Sequence, residues 1–242
     1  VVAERPAASF SRDSLVAAPM TALFGANSFV ATNMALLLLS AWLREHWRRQ
    51  WNGAAHRTRD PGLLFLDTIN RANPTPALGP IEATNPCGEV PLLPNESCNL
   101  GSINVARFAT GGRLDWERLA GTVRLAMRFL DDVIDVSRYP FPELEHAAHA
   151  TRKVGLGDMG LAELLATLGV AYDSDAAVRL AGRLARHIGE HARQASVELA
   201  AARGPFPAFA DSVFARAGSQ PRRNAQVTSV APTGTVSIIA GT

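Results

Sequence analysis

The stretch Thr84-Asn85-Pro86-Cys87-Gly88-Glu89-Val90-Pro91-Leu92-Leu93-Pro94-Asn95-Glu96-Ser97-Cys98-Asn99-Leu100-Gly101-Ser102-Ile103-Asn104 decides how the chain is read. It holds both cysteines of the 242 residues. Asn85, Cys87 and Glu89 stand at i, i+2 and i+4, and Pro86 biases the residue before it towards extended backbone. In an extended segment these three side chains share one face, and Gly88 lets a ligand approach the backbone. An amide, a thiol and a carboxylate on one edge offer an orienting hydrogen-bond pair, a sulfur reactant and an acid–base group. A cysteine protease would want a histidine base, and none of the six histidines is near in sequence. On chemistry alone the reading is a site of thiol plus carboxylate.

On either side of this stretch the pattern predicts an α/β fold. Asp60-Pro61-Gly62 reads as a turn, and the apolar run 63–66 as a short buried strand. Asn73-Pro74-Thr75-Pro76 and Leu78-Gly79-Pro80 keep the chain extended. Residues 101–108 read as a strand. An amphipathic helix is predicted over 115–136, with Leu119, Val123, Ala126, Leu130 and Val133 on one stripe and Asp115 as its N-cap. Pro140 and Pro142 stop it. Helices follow over 160–168 and 176–202, the second ended by Gly204-Pro205. Residues 227–230 read as a strand that leads into Pro232-Thr233-Gly234-Thr235. Strands alternating with helices define the class.

Composition excludes several functions. With 47% hydrophobic and 19% charged residues the chain is an ordinary globular one. A net charge of +2 argues against a dedicated nucleic-acid binder. Lys153 is the only lysine, which reads as an arginine-rich genomic composition. The apolar run 34–39 is far too short to span a bilayer, and no signal peptide is visible. Two cysteines in so long a chain are no disulfide scaffold, so a reducing compartment, the cytoplasm, is expected. Residues 1–58 are irregular in character, except that 31–51 suits a helix. Its cluster of Arg44, Trp47, Arg48, Arg49 and Trp51 reads as a solvated helix end rather than a single-strand binding face.

The stretch 84–104 resembles the central loop of ribonucleotide reductases. Further resemblances lie in Asp60 to Pro76, Arg152-Lys153-Val154-Gly155-Leu156-Gly157, Gly160-Leu161-Ala162-Glu163-Leu164-Leu165 and Ala231-Pro232-Thr233-Gly234-Thr235-Val236-Ser237-Ile238-Ile239-Ala240-Gly241-Thr242. They cover about 60–242. The resemblance implies part of the family's ten-stranded α/β barrel, with residues 59–242 a piece of the catalytic domain. The implied reaction is reduction of ribonucleotides to 2′-deoxyribonucleotides. Cys87 would be the thiyl radical that abstracts the ribose 3′ hydrogen, Glu89 the base for the 3′ hydroxyl, and Asn85 a hydrogen-bond partner of the ribose hydroxyls. Cys98 resembles one half of the redox pair that supplies electrons; its partner lies well upstream in the family, and no cysteine precedes Cys87. A Cys87–Cys98 disulfide is the structural alternative. Substrate binding is implied for Asn85, Pro86, Cys87, Gly88 and Glu89, and for the phosphate loop Pro232, Thr233, Gly234, Thr235 and Val236. The wording of both motifs resembles the adenosylcobalamin-dependent class, with the cofactor bound largely outside these residues. Expected partners are a ribonucleoside di- or triphosphate and a thioredoxin- or glutaredoxin-type reductant, with a homodimer for the full-length enzyme.

His187-Ile188-Gly189-Glu190-His191 matches the inverted zinc-protease signature, the rival reading. Both histidines flank the stripe Leu180, Leu184, Ile188 and Ala195, a position that suits partly solvated side chains rather than a metal site. Residues 1–58 do not resemble the family and are expected to be a divergent segment, as from a frame-shifted or mis-joined reading. Asn95 stands where an aromatic is usual, and Asp158 where an apolar residue is usual. The chain, read as a piece of a longer enzyme, is expected to be inert by itself.

Overall fold

The computed structural model describes residues 29–58 and 64–242, within two compact units, 1–63 and 64–242. In the first, α1 (Phe29–Thr58) extends the predicted helix at both ends. Glu45 accepts hydrogen bonds from Arg48 and Arg49, each at 2.8 Å, and Trp42 and Trp47 are exposed. The cluster is solvated as the sequence suggests, but it lies within the helix, which runs on to Thr58, and not at its end. The turn at Asp60-Pro61-Gly62 and residue Leu63 lie outside the described residues.

In the second unit, α2 (Leu66–Arg71) precedes an antiparallel pair, β1 (Ala83–Thr84) and β2 (Pro91–Leu92). There follow β3 (Asn99–Asn104), a 3-10 turn (Val105–Phe108) and a second antiparallel pair, β4 (Ala109–Thr110) and β5 (Arg113–Leu114). Then come α3 (Trp116–Val136), α4 (Pro142–Thr151), β6 (Val154–Met159), α5 (Leu161–Thr167), α6 (Asp175–Arg203), α7 (Val213–Arg216) and α8 (Gly234–Ala240).

The parallel pair β3–β6, in register from Asn99↔Val154 to Asn104↔Met159, is the frame of the unit. Parallel strands need a crossover, and α3 and α4 supply it. Asp115 Oδ1 accepts from the Arg118 amide at 3.0 Å, so the predicted cap is in place. The face that α3 buries runs through Leu119, Val123, Met127, Leu130 and Ile134, and it meets Leu184, Ile188, Ala192 and Ala195 of α6 and Ile103, Val154 and Leu156 of the strands. Each such aliphatic side chain contributes roughly 1.5–3 kcal/mol of burial. Ala126 and Val133, expected on the stripe, are only half-buried; the larger neighbours Met127 and Ile134 turn inward instead. Gly101 has its Cα face against Leu130, whose Cδ1 would lie 3.4 Å from a Cβ there, so β3 sits close under α3.

Four sequence expectations need correction. Of the run 63–66, the described residues 64–66 form no buried strand: Leu64 and Phe65 are 47% and 65% exposed, and Leu66 already begins α2. The strand expected over 101–108 ends at Asn104, whose side chain accepts from the Ala106 amide and turns the chain. Pro142 opens α4 rather than only ending α3, since a proline in the first helical turn loses no hydrogen bond. The strand over 227–230 is reduced to one parallel bridge, Leu156↔Thr228, with the Val154 and Leu156 amides donating to Gln226 and Val227. Among the described residues the sheets are two-stranded and open, so what is present is an α/β portion of a barrel, not a closed one.

Candidate active site

The loop 85–90 caps the β1–β2 hairpin. It is a turn and not the extended run expected from the spacing, so the alternation of side chains along a strand does not place Asn85, Cys87 and Glu89. Two features cause the turn. Pro86 and a glycine at φ +90° set the backbone, and the Gly88 amide closes onto the Asn85 carbonyl at 3.0 Å. Asn85 completes it: its Oδ1 accepts from the Val90 amide at 2.9 Å, and its own amide donates to the Val90 carbonyl at 3.2 Å. With Oδ1 committed to the turn, the NH2 of Asn85 is the group left to meet a ligand hydroxyl. Cys87 stands exposed at the tip. Glu89 is half-buried, and its Oε2 is buried without a hydrogen-bond partner among the described residues. An unpaired carboxylate oxygen is costly to bury, and such atoms concentrate at functional sites.

The second loop, 231–236, brings its residues to the same place. Thr233 adopts φ +58°, a left-handed conformation that strains a β-branched residue. It stands just before α8, whose N-cap it is. Ser237 already donates to the Thr233 carbonyl at 2.8 Å, so the amides of 234–236 have no partner within the helix. Cys87, Ala231, Pro232, Thr233, Gly234, Thr235 and Val236 line one cleft of about 370 Å³, floored by Leu100, Gly101 and Ser102 of β3. That volume lies within the range of small-molecule sites. Asn85, Glu89 and Cys98 do not line it.

Cys98 lies at the start of β3, half-buried, its thiol 3.6 Å from the Asn99 carbonyl. Burial pushes its pKa up to about 12, against the opposing pull of the Lys153 charge. Both cysteines are free, so the disulfide alternative does not hold here.

The residues that sequence reading missed lie beneath the loops. Lys153 is fully buried, with Nζ 2.6 Å from Glu96 Oε2; Glu96 also accepts from Thr151 Oγ1 and, at 2.8 Å, from the Leu93 amide. Nζ also approaches the Pro91 carbonyl at 3.4 Å. This buried pair holds the segment between the two cysteines onto β6. The signal was there: one lysine in an arginine-rich chain marks a place that takes a compact ammonium and not a guanidinium. Beside it, Asp131 is fully buried and paired with Arg152 at 2.9 Å, Arg223 at 3.3 Å and Asn224 Nδ2 at 3.0 Å. Asn95, the departure from the family's aromatic, sits at φ +60°, which asparagine tolerates best among non-glycine residues. Asp158 is partly buried on β6, and desolvation raises its pKa.

The rival motif is packed otherwise. His187 has Nε2 2.9 Å from the Trp116 carbonyl, and its ring meets that of His191 edge-on at 4.4 Å. Burial, then the nearby His187 and Arg124, lowers the His191 pKa. Among the described residues no cluster of His, Cys, Asp or Glu is placed to hold a metal ion.

A parallel β–α–β frame, with a cysteine turn and the 231–236 loop meeting at one cleft, defines the class of the fold: an α/β portion of a barrel. The chain belongs to the ribonucleotide reductase family, whose barrel-domain model matches residues 44–222. The cysteine loop lies within that match and the 232–236 loop after it. The vitamin B12-dependent ribonucleoside-diphosphate reductase of Mycobacterium tuberculosis (strain CDC 1551 / Oshkosh) is 72% identical over 189 residues, 78% of this chain and 27% of the relative. The same-named protein of Thermoplasma acidophilum is 48% identical over 188 residues, covering 77% of this chain and 24% of that one. Among solved structures, the class Id ribonucleotide reductase alpha subunit of Actinobacillus ureae matches with a TM-score of 0.65 at 27% identity, over 84% of this chain and 40% of that one. The chain spans about a quarter of the length of the curated relatives it matches.

Proposed function

We propose that residues 59–242 act within an adenosylcobalamin-dependent ribonucleoside-diphosphate reductase, reducing ribonucleotides to 2′-deoxyribonucleotides, with 1–58 a divergent N-terminal segment. The observation that carries this is the cleft shared by Cys87 and the 231–236 loop. The relatives named for vitamin B12 and for diphosphates support both the cofactor and the substrate. The chemistry that adenosylcobalamin supplies when bound is radical initiation. The exposed Cys87 sulfur at the cleft fits a radical that arrives from outside these residues. The remaining steps belong to the chain's own side chains. The Cys87 sulfur, as a thiyl radical, takes the ribose 3′ hydrogen. The unpaired Glu89 carboxylate accepts the 3′ hydroxyl proton, and the Asn85 NH2 orients the ribose hydroxyls. With a radical on the neighbouring carbon, the 2′ hydroxyl leaves as water with a proton from the reducing dithiol. The dithiol then gives its second hydrogen to C2′ and an electron to the sugar, while Glu89 returns its proton to the 3′ oxygen. The Cys87 thiol gives its hydrogen back to C3′. Two electrons come from a dithiol of which Cys98 is one half; a thioredoxin- or glutaredoxin-type protein then restores it. Amides and hydroxyls of 232–236 hold the diphosphate. Free thiols at both positions support a reducing, cytoplasmic setting, and among the described residues no helix is long and apolar enough to cross a membrane. The full-length enzyme is a homodimer in this reading.

The test is to place 59–242 in the Mycobacterium tuberculosis relative and assay deoxyribonucleotide formation. Activity that needs adenosylcobalamin and no second subunit is expected. Activity that instead needs a separate metal-containing subunit would overturn the cofactor assignment.

A further inference from the structure

The two loops of the cleft come from opposite ends of the unit, yet one nucleotide must be held by both. Its ribose faces the cysteine loop and its phosphates face 232–236, so the spacing between the loops sets whether the reacting atoms meet. Among the described residues, one direct polar link joins the cysteine loop to the segment that leads into 231–236. Ser229 Oγ donates to the Glu89 carbonyl at 3.0 Å. Ser229 is itself buried, and its amide donates to the Leu156 carbonyl of β6 at 3.2 Å. Three residues later the chain enters the phosphate loop at Pro232.

Two glycines of β6 make this approach possible. A Cβ on Gly157 would lie 2.3 Å from the Ser229 carbonyl oxygen, and one on Gly155 would lie 2.7 Å from Ser229 Cβ. Real Cβ atoms do not come that close, so only glycine at these positions lets 227–230 lie flush on the strand. The hydroxyl is then within reach of the hairpin. We infer that Ser229 is a positioning residue, a clasp that fixes the backbone of Glu89, and with it the carboxylate and Cys87, at a set distance from the phosphate loop. The inference rests on the functional reading above for what the clasp serves, but not for its existence.

Its two consequences are measured separately. In the 242-residue chain, Ser229→Ala is expected to speed amide hydrogen exchange at 87–90 by about tenfold, since the loop loses its anchor, while β3 amides are unmoved. In the full-length reductase carrying this segment, Ser229→Ala is expected to lower kcat by about tenfold through misplacement of the reacting groups, with KM and thermal midpoint unchanged. Ser229→Thr, which keeps the hydroxyl, retains most of both. Unchanged exchange at 87–90 removes the clasp, whatever the enzyme catalyses. Loosened exchange with an unchanged kcat, or a kcat loss that tracks a fall in thermal midpoint, removes its positioning role. If the unsubstituted reductase forms no deoxyribonucleotide, the functional reading has failed, and the exchange result alone then decides on the clasp.

Discussion

The ground under the cleft and the cleft itself treat polar groups in opposite ways. Below, charges are buried and each meets a partner: Asp131 with Arg152, Arg223 and Asn224, and Lys153 with Glu96. In and beside the cleft, polar groups are left uncommitted: Cys87 exposed, Glu89 Oε2 buried but unpaired among the described residues, the first amides of α8 without helical partners. The difference shows where order is built. Buried ion pairs add little net stability over apolar packing, but removing one partner is costly. They therefore fix the geometry of the frame without occupying the groups that must meet a ligand. Arg152 shows the strain this accepts, holding φ +47° so that its guanidinium reaches both Asp131 and Asp135.

The comparison breaks most visibly at Asp131. Asp131→Ala leaves Arg152 buried at 3% exposure without its innermost counter-charge. The expected cost is about 3–5 kcal/mol, read as a lower urea midpoint with an unchanged slope. A cost near zero would mean that Arg152 relaxes into solvent and that the frame is not stitched by this pair.

A smaller effect sharpens the contrast between the two thiols. Near neutral pH, alkylation is expected to modify Cys87 quickly, because it is exposed, and Cys98 slowly, because burial holds its pKa at about 12. The sign for stability follows. A thiol raised from 9.0 to about 12 keeps its proton in the folded chain while the unfolded chain loses it. The contribution of Cys98 is thus complete below pH 9 and is lost as pH rises through that window. Equal alkylation rates, measured by mass spectrometry of the two peptides, would place Cys98 in the open.

Much of this was legible from residues alone, in a way that follows the physics. The helices over 115–136 and 176–202 were readable because each carries a long apolar period and a capping side chain, Asp115 and Ser174 in the structure. Strand β6 was not. Val154-Gly155-Leu156-Gly157 is buried without alternation, and its glycines serve the close approach of 227–230, a tertiary fact that no local pattern carries. The run 63–66 misled because its described residues, Leu64 to Leu66, are left exposed. The site motifs were visible through family resemblance. Their geometry was not: the i, i+2, i+4 spacing suggested a strand face where Pro86, Gly88 and the Asn85 side chain make a turn. Lys153 was legible only as the one lysine of the chain, since no local pattern carries its pairing with Glu96.

The central claim is that Cys87 is the reacting sulfur and that the open cleft around it receives the nucleotide. The most direct measurement is exchange of the ribose 3′ hydrogen with solvent in the full-length reductase carrying this segment, comparing the unsubstituted enzyme with Cys87→Ser. A hydroxyl cannot replace the thiol as an accessible radical, so exchange and turnover are expected to fall to background while nucleoside diphosphate still binds with the same affinity. Sustained 3′ exchange in the Cys87→Ser enzyme would contradict the account, and the radical would then have to be assigned to another residue.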